Sequence, residues 1–245
     1  MKSAHIRKKL VVPSSWDEIP RGEYYRAALE RQLQPWWSKL YGFHLLKVGN
    51  LSAEINSEAC PISHQVNVAP EGNNLQVRGD PYYLPFEQKS VDACLLCHTL
   101  NYATDPHRIL REVDRVLIDD GWLVVSGFTP FSLLGMGKCL PFLRKRQPFA
   151  SRMFSQTRLI DWLSLLNYEV MFKSRFQVLP WHRHGGRLLG DHLPALGCMT
   201  VIVARKRTLP LLPTAKKVHA RRQSLTQTVG ASKSYREEHD DDCCK

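Results

Sequence analysis

The run Val91-Asp92-Ala93-Cys94-Leu95-Leu96-Cys97 narrows the possible folds more than any other stretch of this chain. It is a nearly continuous apolar segment, the pattern of a strand buried on both faces of a parallel sheet. A parallel neighbour requires a crossover, and a helix follows at once. Asp105 suits an N-cap, and Pro106 suits the first helical position, where its missing N–H leaves nothing unpaired. Ile109, Leu110, Val113, Val116 and Leu117 then form one apolar stripe, with Arg108, Arg111, Glu112, Asp114 and Arg115 on the other faces. Gly121 is expected to end the segment, and Trp122 to Ser126 to form the next strand. Strand, helix and strand within about 35 residues make one right-handed βαβ crossover.

Weaker patterns complete the outline. Residues 1–22 read as an N-terminal arm, and Tyr24 to Lys39 as a helix rich in charged and aromatic residues, disturbed by Pro35. Phe43 to Val48 and His64 to Ala69 read as strands, with a weak helical pattern over Ser52 to Ala59 between them. A late amphipathic helix capped by Ser155 is expected to bury Leu159, Ile160, Trp162, Leu163, Leu165 and Leu166 and to stop at Asn167. Glu169 to Val178 and Met199 to Ala204 read as the last two strands. The expected organisation is thus an arm over 1–22, an α/β domain over 23–207 and a basic tail over 208–245.

The formal net charge is +11 over 245 residues, yet it is concentrated. From Arg205 to Arg236 there are nine basic residues and no acid, and the rest of the chain is nearly neutral. The positive balance therefore describes the tail more than the folded part. The seven cysteines lie mostly in apolar runs and form no disulfide framework. After the basic start, only Leu10-Val11-Val12 precedes Pro13, too short for a signal-peptide core, and no window resembles a membrane span. A soluble cytoplasmic protein is expected.

Four pieces carry a family resemblance. They are Gly79-Asp80-Pro81-Tyr82-Tyr83-Leu84-Pro85-Phe86, Ser90 to Leu100, Asp105 to Leu117, and Gly121 to Ser126. In this order and at this spacing, over about 50 residues, they closely resemble the type 11 pattern of class I S-adenosylmethionine-dependent methyltransferases. More loosely, the resemblance runs from Phe43 to Arg205. It implies a Rossmann-like, seven-stranded mixed sheet with helices on both faces and the last strand antiparallel. It also implies S-adenosylmethionine as cofactor and transfer of its methyl group to an acceptor that the sequence does not name. By this resemblance Asp80 takes the adenine amino group, the Leu84 turn lies just beyond it, and His98 faces the methionyl end or the acceptor. A carboxylate suits an exocyclic amine because it offers only acceptors.

The first part of the site departs from the pattern. The family's acidic residue and glycine-rich loop correspond to Lys47-Val48-Gly49-Asn50-Leu51-Ser52-Ala53, where Gly49 alone survives of the glycines and Lys47 replaces the acid. Asn67 stands where an acid normally accepts the ribose hydroxyls, with Glu54 and Glu71 as other acceptors nearby in sequence. The cofactor candidates are therefore Gly49, Asn67, Asp80, Leu84 and His98, with His98 also the catalytic candidate. These departures motivate a second reading, a catalytically silent binding or scaffold protein on the same fold, contacting RNA through its basic tail.

Other features weigh less. Cys94 and Cys97 are three apart on a strand and so face opposite sides, which argues against a metal pair; no metal is expected. His182-Arg183-His184 with Asp191-His192 reads as a polar loop. Trp36-Trp37 and Trp181 read as packing rather than a stacking platform. The tail and the basic stretch from Lys138 to Arg158 can hold nucleic acid electrostatically.

Overall fold

The computed structural model describes residues 10–138, 146–177 and 196–207. These belong to one compact unit, Met1–Leu209. Seven strands form one sheet in the order β3-β2-β1-β4-β5-β7-β6. They are β1 (His44–Val48), β2 (His64–Ala69), β3 (Val77–Arg78), β4 (Val91–Cys97), β5 (Leu117–Phe128), β6 (Tyr168–Phe176) and β7 (Met199–Lys206). β7 alone runs antiparallel to its neighbours β5 and β6, and the pairs from β3 through β5 are parallel. The expected fold class, a Rossmann-like class I methyltransferase sheet with its last strand antiparallel, is the observed one.

The central strand behaves as its composition dictates. Ala93, Leu95 and Cys97 enter the core on one face of the sheet, Cys94 and Leu96 the core on the other. Both cysteines are free and buried, and among the described residues no cluster of metal-ligating side chains occurs. One face is covered by α1 (Gly22–Trp37), through Tyr25, Ala28, Leu29, Leu33 and Trp37. The other is covered by α4 (Pro106–Val116) and α6 (Gln156–Leu165), through Ile109, Leu110, Val113, Val116, Leu159, Trp162 and Leu163. Asp105 and Ser155 cap these two helices as expected, accepting from the N–H groups of Arg108 (3.2 Å) and Arg158 (3.3 Å).

Several boundaries differ for identifiable reasons. Gly121 does not end a helical segment; it lies inside β5, which begins at Leu117 directly after the helix. The register jumps from Val91–Leu117 to Ala93–Trp122, so Ile118 to Gly121 form a bulge, with Asp120 in the left-handed region (φ 65°). Leu165, expected to be buried, is 69% exposed, because it is the last residue of α6 and turns off the apolar stripe. The weak pattern over Ser52 to Ala59 contracts to α2 (Asn50–Ala53). Within the segment read as an arm, a 3-10 turn (Trp16–Glu18) follows Ser15, and Trp16 and Ile19 are among the most buried side chains of the protein. Trp37 is likewise core, while Trp36 packs on Phe172 at 5.1 Å between ring centres. The loop from His182 to His192, together with Trp181 and the tail beyond Arg207, lies outside the described residues.

Candidate cofactor site

Strand order reverses between β1 and β4, since β1 leads outward to β2 and β3 while β4 leads the other way to β5. In open α/β sheets the crevice outside the strand carboxyl ends at such a point is where ligands bind. Gly49 ends β1 there and His98 ends β4.

Gly49 has φ +94° and ψ 154°, a backbone conformation that side-chain-bearing residues rarely adopt. A Cβ on it would come within 2.9 Å of Thr99 Oγ1. Its surroundings are fixed by hydrogen bonds. The Gly49 N–H donates to the Val68 carbonyl (2.8 Å), and the Thr99 and Ser52 hydroxyls both donate to the Val48 carbonyl (2.6 Å each). Ser52 in turn accepts from the Cys97 N–H at 2.8 Å, so the ends of β1 and β4 are tied through one hydroxyl. Just beyond, the Asn50 Oδ1 is buried without a hydrogen-bond partner among the described residues.

His98 is fully buried and left-handed (φ 57°), and caps the short α3 (Thr99–Tyr102). Its ring lies between Trp16, edge-on at 5.1 Å, and Phe128 at 4.2 Å. Neither ring nitrogen has a partner among the described residues. Burial pushes its pKa down to about 3, so the imidazole is neutral across the physiological range. Trp16 also reaches the loop after β1, since its indole N–H donates to the Leu51 carbonyl (2.9 Å) and its backbone N–H to Glu54 Oε2 (3.1 Å). Glu54, considered above as a ribose acceptor, is thus engaged with the N-terminal turn.

On the far side, Asp80 follows β3 and is exposed. Its Oδ1 accepts from the Tyr82 N–H and its carbonyl from the Tyr83 N–H, both at 2.9 Å, which closes a tight turn. Leu84, buried, donates its N–H to Glu112 Oε1 (2.9 Å), and its carbonyl accepts from Arg115 (3.0 Å). The hydrogen bond from Arg115 holds the Glu112 carboxyl below the usual carboxylate range. Tyr82 adds a second tie, its hydroxyl accepting from the Thr104 N–H at 2.7 Å. The Asp80–Leu84 turn is therefore tied to Thr104, just before α4, and to Glu112 and Arg115 near its C-terminal end.

Asn67 sits fourth in β2, opposite Lys47, and its side-chain N–H group donates to the Asn74 carbonyl (2.9 Å). The carboxyl end of β2 is instead the buried Ala69, followed by Pro70 and the exposed Glu71. Lys47 is buried and its ammonium donates to the Ile55 carbonyl (3.0 Å); burial pushes its pKa down. The structure thus brings Gly49 and His98 together through Thr99, and Asp80 and Leu84 together in one turn. Asn67 lies in the interior of β2, one residue before Val68, whose carbonyl accepts from the Gly49 N–H. Sequence reasoning missed Trp16, Thr99, Ser52 and the Glu112–Arg115 pair. Trp16 carried one readable signal, its place between the capping Ser15 and the acids Asp17 and Glu18.

The comparisons with known proteins agree with this fold. Residues 51–125 match the family described as "Methyltransferase domain". A relative from Escherichia coli (strain K12), "Uncharacterized protein YafS", is 59% identical over 236 residues, covering 96% of this chain and 98% of its own. The chain belongs to the class I S-adenosylmethionine-dependent methyltransferase family. Among solved structures, a Thermotoga maritima S-adenosylmethionine-dependent methyltransferase, described as a possible histamine N-methyltransferase, superposes with TM-score 0.50 at 20% identity (76% and 95% coverage). The geranyl diphosphate C-methyltransferase of Streptomyces coelicolor A3(2) does so with TM-score 0.52 at 13% identity (83% and 90%). The [4+2]-cyclase SpnF shares the fold as well, with TM-score 0.50 at 15% identity (75% and 82%), so this architecture also carries other chemistry.

The cofactor that the family implies is matched in part. Gly49 leaves no room for a Cβ against the Thr99 side chain, and His98 and Asn50, which follow β4 and Gly49, carry buried polar atoms with no partner among the described residues. Asp80 keeps one carboxylate oxygen that accepts no protein hydrogen bond among the described residues. Asn67, the residue expected at the ribose, has its side-chain N–H group engaged with the Asn74 carbonyl. Among the described residues no helix is long and apolar enough to cross a membrane.

Proposed function

We propose that this protein is a methyltransferase that binds S-adenosylmethionine at the carboxyl ends of β1 to β4 and methylates an acceptor entering beside His98. The observation that carries the reading is Gly49, a left-handed hinge at the strand-order reversal where the backbone must stay free of a Cβ. When bound, the cofactor supplies an electrophilic methyl group on a sulfonium. What this chain has to provide is alignment, since holding two reactants in register supplies much of the rate in such a displacement. Gly49 and Asn50 would border the methionyl end, Asp80 would accept from the adenine amine, and Leu84 would line the adenine pocket. Asn67 would meet the ribose, with Glu71 as a further acceptor. His98, neutral, has a free lone pair for an acceptor proton or a free N–H for an acceptor oxygen.

Calorimetric titration with S-adenosylhomocysteine tests this. The wild-type protein is expected to bind, and Asp80→Ala to bind about tenfold more weakly, the loss of about 1.4 kcal/mol for a hydrogen bond to a charged group. Absence of heat and of any thermal shift at millimolar ligand would leave the second reading, a silent scaffold. Specific observations favour that alternative: the buried Lys47 in the acid's place, the side chain of Leu51 in the loop, and Trp16 hydrogen-bonded across it.

A further inference from the structure

The first residues of β1 and β2 are both histidine, and the parallel register sets His44 directly beside His64. Neighbouring strands lie about 4.8 Å apart, so side chains paired in this way on one face come into contact. The two rings meet edge-on, with centres 4.9 Å apart, planes at 84° and Nδ1 facing Nδ1 at 2.8 Å. Both side chains are exposed. The backbone that carries His44 is fixed by Asp92, whose Oδ2 accepts from the N–H groups of Phe43 (2.9 Å) and His44 (2.8 Å). This pair stands at the amino ends of β1 and β2, the opposite end of the sheet from Gly49, and is no part of the candidate cofactor site.

A neutral imidazole has one N–H and one lone pair, on either nitrogen. With the proton of one ring on Nδ1, the contact is a hydrogen bond to the other ring. With both protons on the Nε2 atoms, two lone pairs face one another, and a cation between them answers both. Among the residues that line the adjoining cavity, no other polar group competes for this place. The cavity, of about 200 Å³, is apolar through Leu46, Val66, Phe86 and Val91, and Ser90 in its wall donates its hydroxyl to the Glu87 carbonyl (2.7 Å). The spacing also suits an ion. Metal–nitrogen bonds of about 2.0–2.1 Å put two imidazole nitrogens about 2.9 Å apart at a right angle and about 3.3 Å apart at the tetrahedral angle. The observed 2.8 Å is close to the first value, that of two adjacent positions in a tetragonal Ni(II) or Cu(II) centre.

We propose that His44 and His64 form a two-histidine site for a divalent transition-metal ion of the imidazole-binding kind, Ni(II) or Cu(II), held through both Nδ1 atoms. On binding, the proton at the shared Nδ1 leaves to solvent and the Nε2 of that ring takes one up, so both rings stay neutral. Two metal–nitrogen bonds then replace one hydrogen bond between the rings and two water ligands of the ion. Among the described residues no third histidine, cysteine or carboxylate joins the pair, so water fills the ion's remaining positions. The ion would fasten β1 to β2 at their amino ends. His44 and His64 are 20 residues apart, and strand pairing alone brings them together, so no short ligand spacing in the sequence announces them. The site stands whether or not the protein transfers methyl groups.

Calorimetric titration of the full chain with Ni(II), without cofactor, tests the proposal. Wild type is expected to bind one equivalent that His44→Gln and His64→Gln each bind at least about tenfold more weakly, since even the outer partners of metal ligands are worth about 10–100-fold in affinity. Other histidines of the chain add a common background, so the difference between wild type and variant is the quantity read. The double variant His44→Gln/His64→Gln is expected to lose no more than either single one, because the two rings share one ion. Wild-type binding in both single variants would overturn the proposal and leave a proton-bridged pair only. Loss of two independent equivalents in the double variant would overturn it as well, as would absence of Ni(II) binding at millimolar ion. A second measurement needs no variant: Ni(II) is paramagnetic, and its first equivalent is expected to broaden the backbone amide signals of His44, His64 and their neighbours. Broadening confined to other histidines would have the same overturning force.

Discussion

His98 bears an electrostatic cost that depends on pH. In the unfolded chain an imidazole titrates near about 6.5, whereas burial between Trp16 and Phe128 lowers the folded value to about 3. The folded state therefore binds fewer protons than the unfolded state in the interval between. Stability is full above about 6.5 and falls as pH drops below it, by up to about 1.4 kcal/mol for each pH unit from this group. His107, also lowered by burial, acts in the same direction. Urea unfolding at pH 7.5, 6.0 and 5.0 is expected to show the decline, and His98→Phe to flatten it; an unchanged slope in that variant would remove His98 as its source. The unpaired nitrogens also say why this position is poor at serving only as packing. A buried imidazole without partners among the described residues loses its hydration and gains no hydrogen bond.

At the scale of elements, the 3-10 turn of Trp16–Glu18 acts as a latch on the loop after β1. Trp16→Phe keeps most of the buried ring but orphans the Leu51 carbonyl, and is expected to lower unfolding free energy by about 1–2 kcal/mol in urea titrations. Trp16→Ala is expected to lose about 3–5 kcal/mol; a loss below that of the phenylalanine variant would show the turn to be detachable. This element is where sequence reading ran short. β4 and α4 were legible because Val91 to Cys97 and the Ile109–Val116 stripe declare burial on two faces and on one face, respectively. Trp16 sits in a segment with neither period, and its burial depends on partners about 35 and 82 residues away, Leu51 and His98. Of the candidate site, Gly49 and the Asp80–Leu84 turn were named through the family resemblance that their residues carry. The ties that hold them, Thr99 and Ser52 to Val48 and Glu112 to Leu84, could not, because a hydroxyl or carboxylate on a polar face has many partners open to it until the fold selects one. Gly121 failed for a related reason: a glycine marks a bulge inside a strand as readily as a helix end.

For the whole molecule, the question is where the cooperative unit stops. β7 is flanked on both sides, by β5 and β6, so its pairing is complete at Lys206. Lys206 closes over the end of α4, its ammonium donating to the Asp114 carbonyl (2.7 Å) and lying 3.2 Å from that carboxylate. Arg207 donates its N–H to the Asn167 carbonyl (2.9 Å) and pairs with Glu169 (2.6 Å). The exposed Arg207–Glu169 pair adds little, but the Lys206 contacts are half-buried and carry more. All of these precede Leu209, the last residue of the compact unit. A chain ended at Leu209 is therefore expected to melt within about 2 °C of the full protein, given that about 1 kcal/mol shifts a domain of this size by about 2–4 °C. Differential scanning calorimetry of the two chains decides it. A fall of more than 5 °C would mean that residues beyond 209 pack on the sheet, and that the positive charge concentrated from Arg205 to Arg236 serves the fold as well as any partner.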